Sequence, residues 1–181
     1  VVIERAIFWI RLGIQSQPTL VDEILELARQ GDWESIKNKT VHTKDYIIKI
    51  LVSGILHKDF SMIKAMEAAA ADQIKHMRRF MGVLDTMITV APLLGIFGTV
   101  LGIISSFEVL GSAGIEHPQE VTSGIAQALI TTAAGLGIAI LSVFPYNYFN
   151  SRVENAAMLI EKYATSLEIV FEKLTQSGGN N

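Results

Sequence analysis

Twenty-two consecutive residues, Thr86 to Phe107, carry no charge. As a helix this segment would be roughly 33 Å long, against a bilayer hydrocarbon core of about 30 Å. A second uncharged stretch runs from Val121 to Ser151, and its most apolar part lies between Ile125 and Phe144. Two such stretches in 181 residues favour membrane spans over buried core helices. Half the chain is hydrophobic, 18% is charged and mean hydropathy is +0.37. Soluble domains carry about 25% charge, so this composition excludes a disordered chain. A net charge of −3 excludes a nucleic-acid binder held by a basic surface. There is no cysteine, hence no disulfide, thiol nucleophile or cysteine-ligated metal.

Orientation follows from the basic residues. Twelve of the fifteen Lys and Arg residues lie between Arg5 and Arg79, and Arg152, Lys162 and Lys173 follow the second stretch. The connection between the stretches holds only the acids Glu108, Glu116 and Glu120. The positive-inside rule therefore predicts cytoplasmic N- and C-terminal regions and an external connection. The opening VVIERAIFWIRL reads as the last turns of another apolar helix, with Glu4, Arg5 and Arg11 at its cytoplasmic end. The expectation is that this span begins upstream of Val1.

The predicted fold class is an all-α membrane protein with three transmembrane helices, the first truncated, and long helices extending into the cytoplasm. Residues 1–12 are the end of the first span, 13–83 a cytoplasmic helical region, and 84–110 the second span. Residues 111–122 form the external connection, 123–146 the third span, and 147–181 a cytoplasmic helix and polar tail. Within the cytoplasmic region, Pro18–Gln30 is helical with Gly31 as a stop, and Asp32–Thr40 is a short helix or turn. Lys44–His57 is amphipathic, with Ile47, Ile48, Leu51, Val52, Ile55 and Leu56 on one side. Phe60 to Val83 is predicted to run as one helix straight into the second span. Tyr146 to Thr175 continues the third span, with apolar positions Val153, Ala156, Ala157, Ile160, Ala164, Leu167 and Phe171. Patterning alone leaves open whether these long helices build a self-contained domain or pack against neighbouring copies.

The spans are rich in small residues at four-residue spacing. Ala91 and Gly95 form one pair, and Gly98 and Gly102 another. Gly124, Ala128 and Thr132 form one row of the third span, and Thr131, Gly135 and Ala139 a second. Small residues let helix backbones approach closely in lipid. Pro92 removes a backbone donor and allows a kink. The polar residues Thr99, Gln127, Thr131 and Thr132 are candidates for a polar route through the spans. A lone Thr bonded to its own helix is the plainer reading, but a cluster on two helices points to a pathway. None of the four titrates near neutral pH, and no Asp, Glu, Lys, Arg or His lies in either apolar core. A proton relay at membrane depth needs an ionisable group, so a carboxylate must come from a partner.

Other chemistry is poorly supported. His42, His57, His76 and His117 are scattered, without zinc-helix spacing. No phosphate-binding glycine loop, nucleophile elbow or paired carboxylate stands out, so neither an enzyme nor a cofactor or metal is expected. Asp85, just before the second span, reads as a helix-end charge or as the cytoplasmic exit of a pathway.

APLLGIFGTVLGIISSF (Ala91–Phe107) and GIAQALITTAAGLGIAI (Gly124–Ile140) closely resemble the ExbB/TolQ/MotA proton-channel family, in its ExbB/TolQ branch. Glu4–Arg5 at the end of a first span, the large cytoplasmic insertion and YNYF (Tyr146–Phe149) also match. The resemblance covers nearly the whole chain. It implies a homopentamer in the bacterial inner membrane, enclosing a dimer of a single-span ExbD- or TolR-like partner that carries a membrane aspartate. Protons would enter from the periplasm and neutralise that aspartate. The resulting motion would be passed to a TonB- or TolA-like protein, with membrane lipid and no nucleic acid as further surroundings. Thr99 matches the threonine of the family's GTV motif and Thr132 that of ALxxT, both of which line the pore. Gln127 falls where many members carry glutamate, which weakens any scheme in which that position titrates. Pro145 stands closer to the YN motif than the usual proline of the third span, which shifts the expected bend. The expected function is an ion-driven motor subunit of ExbB type. The alternatives are a TolQ role in envelope maintenance, a non-conducting oligomeric scaffold and, disfavoured by chain length and span count, a MotA-type stator.

Overall fold

The computed structural model describes residues 1–113 and 118–178. Glu116, His117 and the last three residues of the polar tail lie outside them, as does the middle of the predicted external connection. The described residues are helical, with no strand among them. The helices are α1 (Val2–Gln15), α2 (Pro18–Arg29), α3 (Trp33–Thr40), α4 (Tyr46–Leu56), α5 (Met62–Met77), α6 (Met81–Ala113) and α7 (Pro118–Gly178). Stretches of α6 and α7, Met81–Gly111 and Pro118–Gln176, hold segments long and apolar enough to cross a membrane. The chain divides into two units: Phe80–Asn150 in one, and residues 2–79 with 151–178 in the other.

The second unit is built on amphipathic helices. Pro18 opens α2, where its missing N–H costs nothing, and α2 buries Val21, Ile24 and Ala28 at helical spacing. Gly31 stops it with φ +74°, a left-handed conformation that glycine adopts without Cβ strain. Asp32 then caps α3 by accepting from the Ser35 N–H at 3.1 Å, and hydrogen bonding by the Ser35 side chain, with that backbone bond second, holds its carboxyl below the usual range. In α4, Ile47, Ile48, Leu51 and Ile55 are buried as expected, and Ile50 with them. Leu56 is a correction: as the last residue of α4 it is 60% exposed rather than part of that face. Gly54 lets α5 come close, because a Cβ there would lie 2.5 Å from Met66 Cγ. The C-terminal half of α7 buries Val153, Ala156, Ile160 and Leu167 of the predicted stripe and half-buries Ala157, Ala164 and Phe171.

Asp45 ties this unit together. It is almost wholly buried, and its carboxylate accepts from three backbone N–H groups: Ile47 and Ile48 at 2.7 and 3.3 Å, and Gln17 at 2.7 Å. The first two cap α4, and the third fixes the turn before α2. Asp45→Ala removes the cap and strands a distant donor. It is expected to destabilise the protein by about 3 kcal/mol. Thermal unfolding of the detergent-solubilised protein reads this, and an unchanged midpoint refutes the role.

The predicted continuous helix from Phe60 to Val83 is not formed. Phe60 precedes α5 and is fully exposed, α5 ends at Met77, and Phe80 takes a left-handed φ of +64° before α6 begins. Arg5 gives the physical reason. Its side chain is buried and donates to the carbonyls of His76 and Met77, both at 3.2 Å, at the end of α5. Its other nitrogens pair with Glu4 at 2.6 and 2.7 Å. Carbonyls bonded to a guanidinium satisfy the helix end without another turn.

Candidate functional site

In the first unit, α6 and the span part of α7 meet along their small residues. A Cβ on Gly95 would lie 3.0 Å from Thr132 Cα, and one on Gly102 would lie 2.7 Å from Ala128 Cβ. A Cβ on Gly135 would stand 2.5 Å from the Ala91 carbonyl oxygen. Both predicted rows of the third span thus meet the small residues of α6, and Ala91, Ala128 and Ala139 are buried. Pro92 lies inside α6 and Pro145 inside α7, and neither ends its helix. The large side chains point away from this seam: Leu93, Leu94, Ile96, Phe97, Leu129, Ile130 and Leu141 are all exposed.

Three threonine hydroxyls converge where the backbones are closest. Thr99 Oγ1 donates within 3.1 Å of the Gly95 carbonyl and 3.0 Å of the Ala128 carbonyl, and it contacts Thr132 Oγ1. Thr132 Oγ1 reaches the Gly95 carbonyl at 3.1 Å across the seam. Thr131 Oγ1 lies 3.3 Å from that carbonyl and 2.7 Å from Ala128 O. The Gly95 carbonyl is therefore an acceptor shared by hydroxyls of both helices. Glycine exposes that oxygen because no side chain stands beside it.

Helical register divides the cluster. Thr99 and Thr132 lie on one flank of the seam. Thr131 lies on the other, where it lines a groove of about 340 Å³ with Val90, Leu94 and Ile138. Gln127 is exposed, one turn before Thr131, and outside the set of groups that meet at the Gly95 carbonyl. The structure thus brings together Thr99, Thr131 and Thr132, and leaves Gln127 apart. Asp85 is exposed near the start of α6. Ser106 was not foreseen: it is buried beside Gly124 and donates to the Gly102 carbonyl at 2.9 Å. A small residue four positions after Gly102 is the signal that marks it.

Chemically the seam offers hydroxyls and carbonyls and nothing that changes charge. It can solvate and orient a passing proton carrier but cannot itself store a proton at neutral pH. Among the described residues, no group of three or more His, Asp or Glu side chains gathers to hold a metal. His57 lies 2.9 Å from its own helix's Ser53 carbonyl.

Comparison with known proteins places the chain in a family. Residues 42–162 match the family model described as the MotA/TolQ/ExbB proton channel family. The chain is 31% identical to the biopolymer transport protein ExbB-like 3 of Synechocystis sp., over 95% of this chain and 84% of that protein. It is 40% identical to a biopolymer transport protein ExbB homolog of Methanothermobacter thermautotrophicus, over 88% of this chain and 57% of the relative. It is 39% identical to the Tol-Pal system protein TolQ of Pseudomonas aeruginosa, over 56% of this chain and 43% of TolQ.

Proposed function

The chain belongs to the MotA/TolQ/ExbB proton channel family, and from that premise we propose that it is the channel-forming subunit of an inner-membrane motor of ExbB or TolQ type. The observation that carries the reading is the convergence of Thr99, Thr131 and Thr132 on one carbonyl, inside apolar span cores that contain no Asp, Glu, Lys, Arg or His. Such a lining is polar enough to accompany a proton and has no site of its own to bind it. The proton-binding carboxylate then belongs to a second, single-span protein of ExbD or TolR type. Neutralising that carboxylate lowers the cost of moving it past apolar walls, and the protonation cycle becomes movement of the partner. In this reading a TonB- or TolA-like protein receives the movement on the periplasmic side.

Several copies of the chain would surround the partner, five in the arrangement the family resemblance implies. Within the apolar parts of α6 and α7 many large hydrophobic side chains are exposed, Leu93, Phe97, Leu129 and Leu141 among them, a surface that lipid or neighbouring copies would cover. Within the second unit, α7 also segregates its charge. Glu161, Glu168 and Glu172 lie along one edge of the helix and Lys162 and Lys173 along another, a pattern suited to meeting a neighbouring copy. The N-terminal region and C-terminal tail are cytoplasmic in this reading, as the distribution of Lys and Arg requires.

The test is proton flux into liposomes holding the purified chain alone or with its co-purified single-span partner. Flux is expected only with the partner present, together with a five-fold assembly by native mass spectrometry. Absence of flux from the complete complex would favour a non-conducting scaffold, and a stable monomer would overturn the architecture.

A further inference from the structure

Two grooves border the C-terminal half of α7 inside the second unit. The first, of about 360 Å³, lies between α5 and α7. Met66, Ile74 and Ile160 form its floor, and its rim carries Glu67 from α5 and Glu161 and Glu168 from α7. The second, of about 420 Å³, lies between the end of α2 and α7 and is bordered by Arg29, Ile169, Val170, Lys173 and Leu174. One groove is thus apolar with an acidic rim, and the other apolar with a basic rim. Among the described residues, none of the side chains of Glu67, Glu161, Glu168 and Lys173 is held in an ion pair. Arg29 is different, because it is bridged to Glu26 at 3.1 Å, which neutralises its charge locally.

Helical phase keeps the two edges apart. Glu161 and Glu168 lie within about 20° of each other around α7, and Ile169 and Lys173 within about 40°. Lys173 stands about 140° from Glu168, so the acidic and basic edges of this one helix cannot meet each other. A second copy of the chain can satisfy both. Contact between unlike edges is heterologous, and its repetition closes a ring. In a ring whose axis runs along α7, equal residues of neighbouring copies stand at equal height. Lys173 is then offset from the Glu168 of the next copy by five residues, about 7.5 Å of rise, which two long side chains bridge. Ile169, 47% exposed and one turn before Lys173, supplies the apolar knob for the floor of the groove. A basic peptide from another protein would fill the acidic groove and leave the Ile169–Lys173 edge uncovered, whereas a second copy covers both.

We propose that the second unit docks head to tail with the next copy of the chain, the Ile169–Lys173 edge of one α7 entering the acidic-rimmed groove between α5 and α7 of its neighbour. This rests on the multi-copy assembly proposed above and adds to it which faces meet.

The chain has no cysteine, so an introduced pair reports without background. Thr165 borders the first groove and Ser166 the second. Adjacent Cα atoms are about 3.8 Å apart, too close for an ordinary disulfide, so Thr165→Cys combined with Ser166→Cys reports contact between copies and leaves every charge in place. The full chain with its co-purified single-span partner, in detergent, is oxidised with copper phenanthroline and read by non-reducing electrophoresis beside native mass spectrometry. A ladder of linked chains is expected from the double variant, and monomers from each single variant. Dimers from either single variant mean that like faces meet, and overturn the proposal. An assembled oligomer without a ladder overturns it and leaves the multi-copy reading standing, whereas a stable monomer overturns both. A ladder that forms from the chain alone and vanishes in the complex gives the groove to the partner, which also overturns the proposal. Adding Lys173→Glu to the cysteine pair is expected to slow ladder formation about fivefold, as is adding Glu168→Lys, because each replaces an attraction by a repulsion. Both changes together should restore the parent rate, an outcome that a purely structural role for either residue does not produce. A combined variant as slow as the single ones would overturn the pairing of the two edges.

Discussion

Thr99→Val is expected to lower proton flux through the reconstituted complex by about tenfold or more, which is ~1.4 kcal/mol or more on the barrier, while the oligomer stays assembled. Valine reproduces the shape of threonine and removes one hydroxyl. That hydroxyl sits between the carbonyls of Gly95 and Ala128 and against Thr132 Oγ1, so its loss leaves an apolar methyl at the meeting point of two helices. The cost to helix association is small, because hydrogen bonds between membrane helices average about 0.6 kcal/mol. The cost to a proton carrier is larger, since the Thr99 hydroxyl is the member of the cluster that links both carbonyls to Thr132 Oγ1. Thr132→Val should behave alike, and the double variant should lose little more than either alone, because the two hydroxyls touch and act as one unit. Thr131→Val is expected to reduce flux less. Its hydroxyl reaches the same Gly95 and Ala128 carbonyls without the link to Thr132 Oγ1, and the residue also borders the groove lined by Leu94 and Ile138. Flux measured beside native mass spectrometry separates these effects from disassembly. Unchanged flux in both Thr99→Val and Thr132→Val would remove the pair from the pathway.

Local pattern made the apolar helices and the small-residue rows legible, since both depend on residues within a few turns of each other. The same holds for Thr99 and Thr132, whose spacing from the glycines places them at the seam. Thr131 and Thr132 fall in different four-spaced rows, because adjacent residues on a helix point about 100° apart. Their separation onto two flanks was therefore present in the sequence and needed only the helical phase. Other features had no local signal. The break between α5 and α6 depends on Arg5, more than seventy residues earlier, reaching the carbonyls of His76 and Met77. Asp45 falls inside the predicted Lys44–His57 segment but caps α4 from just outside it, and its bond to the Gln17 N–H joins two distant turns. The acceptor at the centre of the site is a backbone oxygen of Gly95, and no residue type announces that role. Sequence names the side chains that line such a seam, and the backbone approach determines which of them meet.

That backbone approach is itself open to test, with a larger effect on stability than any hydroxyl. At Gly135 even a methyl group would lie 2.5 Å from the Ala91 carbonyl oxygen, 3.0 Å from Gly95 Cα and 3.2 Å from Gly95 N. All three are backbone atoms, so no rotamer change relieves the overlap, and the two helices must move apart. Separation pulls the Gly95 carbonyl from Thr131 and Thr132, so the packing and the hydroxyl cluster fail together. Gly135→Ala is expected to cost about 3 kcal/mol, the upper part of the range for overpacking, and Gly135→Val more. The consequence is loss of the assembled oligomer from detergent extracts and loss of flux. Gly137 is the control two residues away. A Cβ there meets nothing within 4 Å, so Gly137→Ala should assemble as the parent does. Alanine at Gly137 gains the same helix propensity as alanine at Gly135, which isolates the steric term. If both variants assemble equally well, close approach at the seam does not hold the spans together, and the shared carbonyl loses its structural basis.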